Sequence, residues 1–170
     1  KKICVLGLGY VGLPTAAIFA SRGVQVIGVD INETTVETIN QGKIHIIEPG
    51  LYLMVNEAVS MGKLIADPQP QPSDAYIIAV PTPLTKANQP DLTFIEAATR
   101  SIAPVLKKGA LVILESTSPI GTTEKICQWL SQERDDLSFP NVAGDEADIQ
   151  VSHSPERVLP GNVLIELVNN

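Results

Sequence analysis

The sequence predicts an α/β domain: a six-stranded, mostly parallel, doubly wound sheet, covered by helices on both faces in three αβα layers. Three observations carry this prediction. Short apolar runs of strand character alternate with segments of helical period, and that alternation builds right-handed βαβ crossovers. The chain has 170 residues, 44% hydrophobic and 18% charged, which suits one buried core and excludes a disordered chain. No fixed-period repeat, low-complexity tract or internal boundary divides it, so residues 1–170 are expected to form one domain.

Each element has a local reason. Ile3 to Leu6 is a short apolar run ending in glycines, a buried strand. Gly12 to Arg22 reads as a helix closed by Gly23. Val24 to Val29 is a β-branched strand ending at Asp30, and Thr34 with Glu37 offers a capping box for a helix running to Gly42. After an irregular stretch from Ile44 to Gly50, Leu51 to Met61 is helical and Leu64 to Ala66 a weak strand. Pro68, Pro70 and Pro72 stiffen a loop. Ala75 to Val80 is a strong strand cut off by Pro81 and Pro83. Thr93 with Glu96 suggests a second capping box, opening a helix that bends or stops near Pro104. Leu111 to Leu114 is a strand, Thr122 to Gln132 a helix and Asp148 to Ser152 the last strand, reached through a polar surface loop at Asp135–Asp145. Residues 156–170 begin a connection to a further domain.

Twelve Lys and Arg against nineteen Asp and Glu leave a net charge of −7. Such a chain repels nucleic-acid phosphates and anionic membrane surfaces, so neither is an expected partner. No apolar run reaches the ~20 residues of a membrane span. Cys4 and Cys127 form neither a disulfide framework nor a zinc spacing, and His45 and His153 lack a ligand pattern. The expectation is a reduced, cytoplasmic domain without a metal, in which local backbone donors hold any anionic ligand.

Such donors are supplied by Gly7-Leu8-Gly9-Tyr10-Val11-Gly12, a G-x-G-x-x-G run between a predicted strand and a predicted helix. Gly7 permits the tight turn, Gly9 lets backbone approach a pyrophosphate, and Gly12 lets the helix pack against the strand. The helix N-terminus then presents free N–H groups. Asp30 follows Gly12 by eighteen residues at the end of the second strand, where a carboxylate accepts from both ribose hydroxyls and repels a 2′-phosphate. No Lys or Arg between Ile31 and Gly42 rescues that phosphate, so NAD rather than NADP is expected. Asp30 as a mere helix cap is the competing reading.

In an open α/β sheet, ligands bind where strands end. Thr82, between Pro81 and Pro83, is either a hydroxyl aimed at the crevice or part of a rigid turn. After the fifth strand, Thr117 is placed to orient a nicotinamide, a substrate hydroxyl or a water. Thr122 and Thr123 are placed to cap the next helix. Past the sixth strand, Glu156 suits a general base on water and Arg157 an anion holder; the alternative is a solvated surface pair. Neither cysteine is placed to attack a substrate.

The motifs resemble the UDP-glucose/GDP-mannose dehydrogenase family: G-L-G-Y-V-G-L-P at 7–14, V-D-I-N at 29–32, I-I-E-P-G-L at 46–51, V-P-T-P at 80–83, E-S-T-S-P-I-G-T-T-E at 115–124 and S-P-E-R-V-L-P-G at 154–161. They span nearly the whole chain in order. The run at 102–119 and S-P-E-R-V-L-P-G are most like members acting on UDP-N-acetylmannosamine. Arg157 and Pro160 stand where the UDP-glucose enzymes have an aromatic and a second glutamate. The resemblance implies oxidation of the sixth-carbon alcohol of a UDP-sugar to a carboxylate with two NAD in succession, through a cysteine thioester. It implies that Tyr10, Val11, Asp30, Thr82 and either Thr117 or Thr123 contact NAD, and that Thr117 also positions a catalytic water. Glu156 would act in acid/base steps, while Arg157 and Val158 line the sugar-nucleotide site. The family's catalytic cysteine, lysine and asparagine, and its dimerising helix, have no counterpart here. The expectation is an amino-terminal NAD-binding fragment of a homodimeric enzyme, inactive alone; another sugar (UDP-N-acetylglucosamine, UDP-glucose or GDP-mannose) or a non-catalytic NAD-binding module are the alternatives.

Overall fold

A computed structural model describes residues 1–159 and 161–169. Pro160, one of the two departures that argue against UDP-glucose, lies outside the described residues. The chain runs β1 (Lys2–Leu6), α1 (Gly12–Ser21), β2 (Gln25–Val29), α2 (Glu33–Asn40), α3 (Leu51–Ser60), β3 (Leu64–Asp67), β4 (Ala75–Ile78), α4 (Thr93–Ile102), β5 (Leu111–Leu114), α5 (Thr122–Glu133), α6 (Pro140–Ala143), β6 (Gln150–His153) and α7 (Val163–Asn169). One sheet holds all six strands in the order β3-β2-β1-β4-β5-β6. Each neighbouring pair is parallel, so the sheet is parallel throughout rather than mostly.

The period-two alternation sorts side chains between two cores. Val5, Val26 and Ile77 face α1, α2 and α3. Cys4, Leu6, Tyr76, Ile78, Val112 and Leu114 face α4 and α5. Tyr76 is fully buried, and its hydroxyl accepts from the Ser73 N–H at 3.0 Å and donates to the Val105 carbonyl at 2.9 Å. A phenol is thereby buried with no polar group left unpaired. The crossover from β3 to β4 passes over β2 and β1, so the connections leave β1 and β4 in opposite directions. The cleft this opens at their carboxyl ends is where an open sheet binds ligands.

Several local expectations are corrected. The α2 cap is Asn32, whose side-chain oxygen accepts from Thr34 N–H at 3.0 Å and Thr35 N–H at 3.3 Å; a short amide one residue before the helix outcompetes a Thr34 box. Thr93 is the first residue of α4 and bonds Asp91, while Glu96 reaches forward to Arg100 at 2.9 Å instead of back. The helix does stop before Pro104, giving way to one 3₁₀ turn. β6 begins at Gln150 because Asp148 is engaged sideways, accepting from the Ser138 hydroxyl and pairing with Lys108. The polar 135–145 stretch contains α6 and is anchored by Phe139, which is 2% exposed.

The last segment folds back on the domain. Glu48 is buried, and its carboxylate accepts from Gly161 N–H and Val163 N–H, both at 2.8 Å. This carboxylate clamps the start of α7 against the loop before α3.

Candidate functional site

The glycine turn works as three distinct devices. A Cβ at Gly7, whose φ is +90°, would lie 2.6 Å from the Ala79 carbonyl oxygen, and one at Gly12 would lie 1.8 Å from that of Gly7. Both glycines are demanded by packing. A Cβ at Gly9 would meet nothing within 4 Å, so this residue keeps open the space beside the loop. α1 has no side-chain cap, and the N–H groups of Gly9, Tyr10 and Val11 meet no acceptor among the described residues. A bare helix start with this shape holds an anion such as a pyrophosphate.

Asp30 braces the loop. Its Oδ2 accepts from Leu8 N–H at 3.0 Å and its Oδ1 from Asn32 N–H at 2.9 Å. The helix cap is Asn32, not Asp30. Asp30, with Gly7, Gly9, Tyr10 and Val11, lines a crevice of about 730 Å³ that also takes in Thr82, Thr117 and Glu156. Among the described residues no Lys or Arg lines it, so a 2′-phosphate would find an anion and no cation there.

The Thr82 Oγ1 is buried and has no hydrogen-bond partner among the described residues, and an orphaned hydroxyl of this kind normally meets a ligand or water. The open cradle beside Gly9 and the Thr82 hydroxyl both fit a dinucleotide. Of the two candidate threonines, Thr117 is in the crevice. Thr123 is not: its hydroxyl turns to Glu124 at 3.0 Å, while Thr122 donates to the Pro119 carbonyl at 2.7 Å and fixes the start of α5. Arg157 and Val158 line a second cavity, about 620 Å³, between α1, α7 and the loop after β6.

Glu115 and Glu156 line both cavities. Glu156 is braced by the Val158 N–H at 2.9 Å. Glu115, ending β5, accepts from the Thr15 hydroxyl at 3.1 and 3.3 Å. Burial pushes its carboxyl up to about 7; the Thr15 hydrogen bond pulls it down, and the charge of Glu156 raises it. The carboxyl is therefore poised to exchange a proton near neutrality. Sequence reasoning passed over Glu115, and Thr15 with it. The available signal was a carboxylate closing a buried strand, but its partner lies one hundred residues away. Ile31, Pro68, Pro70 and Phe94, also on the crevice wall, were missed too; the first three follow strand ends, where they could have been found. The cysteines are buried as expected, and desolvation raises the Cys4 thiol to about 11.

An open parallel sheet whose order reverses beside a glycine turn, with an acid ending the second strand, defines a dinucleotide-binding Rossmann domain. Residues 1–170 match the sequence model of the UDP-glucose/GDP-mannose dehydrogenase family, NAD binding domain. The chain belongs to that family, and its cofactor is NAD. It is 62% identical over its whole length to an NDP-N-acetyl-D-galactosaminuronic acid dehydrogenase of Ralstonia nicotianae, covering 40% of that protein. It is 61% identical, again over its whole length, to a UDP-N-acetyl-D-mannosamine dehydrogenase of Campylobacter jejuni, covering 42% of it. The crystallised UDP-N-acetyl-mannosamine dehydrogenase of Staphylococcus aureus superposes with a TM-score of 0.89 at 41% identity, over 98% of this chain and 39% of that one. The chain thus spans about two-fifths of the length of these relatives.

Proposed function

We propose that the chain is the cofactor-holding part of a nucleotide-sugar 6-dehydrogenase, and that UDP-N-acetylmannosamine is the alcohol the longer protein oxidises to its carboxylate with two NAD. The observation that carries this reading is the 61% identity to a UDP-N-acetyl-D-mannosamine dehydrogenase over the whole of this chain. NAD supplies the hydride acceptor when bound. The chain's own residues do the holding. Gly9, Tyr10 and Val11 offer N–H groups to the pyrophosphate, and Asp30 takes the ribose hydroxyls. The Thr82 hydroxyl gains its missing partner, and Thr117 faces the reacting end and orients a water. Glu156 handles protons there, while Arg157 and Val158 meet the sugar nucleotide. Such a chemistry also needs a thiol, and both cysteines here are buried within the core, so the 170 residues alone bind NAD without turnover. On this reading the longer protein is a cytoplasmic homodimer, and residues 156–170 begin the connection to its substrate domain.

The relative named for N-acetyl-galactosaminuronic acid, at 62% identity, favours a second reading in which the sugar has the galacto configuration. Two measurements test these proposals. Calorimetry on the chain is expected to show tighter binding of NAD than of NADP, with Asp30→Ala narrowing the ratio; equal affinities in the unmodified chain would end the ribose role. The full-length protein is expected to form NADH from UDP-N-acetylmannosamine. NADH from the galacto sugar alone would move the assignment to the second reading, and NADH from the isolated 170 residues would refute the placement of the thiol elsewhere.

A further inference from the structure

Glu115 sits in the wall shared by the nucleotide crevice and the second cavity, so it faces both. Its backbone N–H is fixed to the Ile78 carbonyl at 2.9 Å, and its carboxylate is held by Thr15. The site therefore cannot retreat from whatever enters the β4–β5–β6 half of the crevice. With Asp30 at the adenosine side, a dinucleotide lying across the switch point puts its nicotinamide in that half. The oxidised ring is a cation and the reduced ring is neutral.

We propose that Glu115 is a specificity residue that reads the redox state of the bound dinucleotide by charge, releasing its proton to accommodate the cationic ring and keeping it against the neutral one. This rests on the dinucleotide reading above. The surroundings support it. α1 presents Thr15 and no titratable group to Glu115. α4 lines the crevice with Phe94 and Ser101, likewise uncharged. The loop after β6 brings Glu156 and Arg157, and α7 brings Glu166, on the side of the second cavity. His153 lies across the sheet from Leu114, next to Glu115 in sequence. Burial first, and the charge of Glu156 after it, favour the protonated form of Glu115; a ring carrying positive charge opposes both, whereas a neutral ring does not. While no sugar nucleotide fills the second cavity, the side of Glu115 facing it gives the proton a way to water.

The test is titration calorimetry of NAD⁺ and NADH against the 170-residue chain between pH 5.5 and 8.5, in buffers of differing protonation enthalpy. NAD⁺ is expected to bind about tenfold more tightly at the upper pH, the ratio that follows when the bound cation lowers the pKa of the Glu115 carboxyl by about one, with proton release greatest between about pH 6 and 7. NADH affinity stays flat. Glu115→Gln abolishes the NAD⁺ slope. Thr15→Val, which withdraws the hydrogen bond that favours the ionised form, moves its midpoint to higher pH. His153→Gln leaves the slope intact, which matters because imidazoles titrate in the same interval. Parallel pH dependence of both dinucleotides, a slope that survives Glu115→Gln, or one lost in His153→Gln would overturn the proposal. Failure of both dinucleotides to bind at any pH would instead overturn the dinucleotide reading beneath it.

Discussion

Replacing Thr82 by valine is expected to stabilise the free chain while weakening its hold on NAD, two effects of opposite sign from one isosteric change. The Thr82 Oγ1 is buried without a partner among the described residues. A hydroxyl in that state costs about 1–3 kcal/mol, and a methyl of the same shape removes the cost. For a chain of this size each kcal/mol raises the melting temperature by about 2–4 °C, so the free variant melts several degrees higher. Binding no longer recovers what the hydroxyl lost on folding. Taking the lower part of that range, about 1–2 kcal/mol, NAD affinity falls about fivefold to thirtyfold. Thermal melts with and without NAD, alongside calorimetry, read both quantities on the same sample. A Thr82→Val variant that melts lower and binds NAD as before would refute this reasoning, because the hydroxyl would then have its partner within the protein.

Gly9 and Gly12 separate binding from folding. Gly9→Ala is expected to leave the melting temperature within the scatter of a surface substitution, about ±0.5 kcal/mol, because its Cβ meets nothing, yet to cut NAD affinity by blocking the cradle. Gly12→Ala, with its Cβ 1.8 Å from the Gly7 oxygen, should cost about 3 kcal/mol or more, seen as a large fall in melting temperature without any ligand. Glu48→Gln places an amide N–H against Gly161 or Val163, costs about 1–3 kcal/mol, and should speed hydrogen exchange at those two amides before any in the sheet. Glu115 makes stability depend on pH. Its carboxyl rises from 4.5 to about 7 on folding, so between those values the folded chain keeps a proton that the unfolded chain has lost. Stability then falls as pH rises through that window, by about 2–3 kcal/mol after allowance for solvent screening. Glu115→Gln is expected to lack this fall in denaturant titrations at pH 5 and pH 8.

The sequence discloses this fold where the chemistry is local. A β-branched run such as Val24–Val29 commits to a strand by itself, and the glycine turn names its own neighbours, since a strand must precede it and a helix follow. What stayed hidden depends on contacts far apart in the chain. Glu115 becomes a shared wall only because Thr15, on the first helix, reaches its carboxylate. Glu48 looks like a loop residue until Gly161 and Val163 donate to it. That Thr117 lines the crevice while Thr123 bonds Glu124 turns on where α5 begins, since Thr122 ties the start of the helix to Pro119. At α5 the cap position falls to Gly121, with Thr122 and Thr123 already inside the helix; capping differs at α2 and α4 for a related reason. Asn32 and Asp91 lie just outside the expected boxes, and a shift of one or two residues decides which short polar side chain faces the free N–H groups.

Asp30 sets a condition on anyone wishing to redesign this crevice. The carboxylate that would exclude a 2′-phosphate is also the prop beneath the Leu8 amide. Trading it for a small neutral group to admit NADP would strand that amide and slacken the turn on which either coenzyme must rest. A working switch of coenzyme therefore takes two coordinated replacements, one to welcome the extra phosphate and another to give Leu8 a new acceptor.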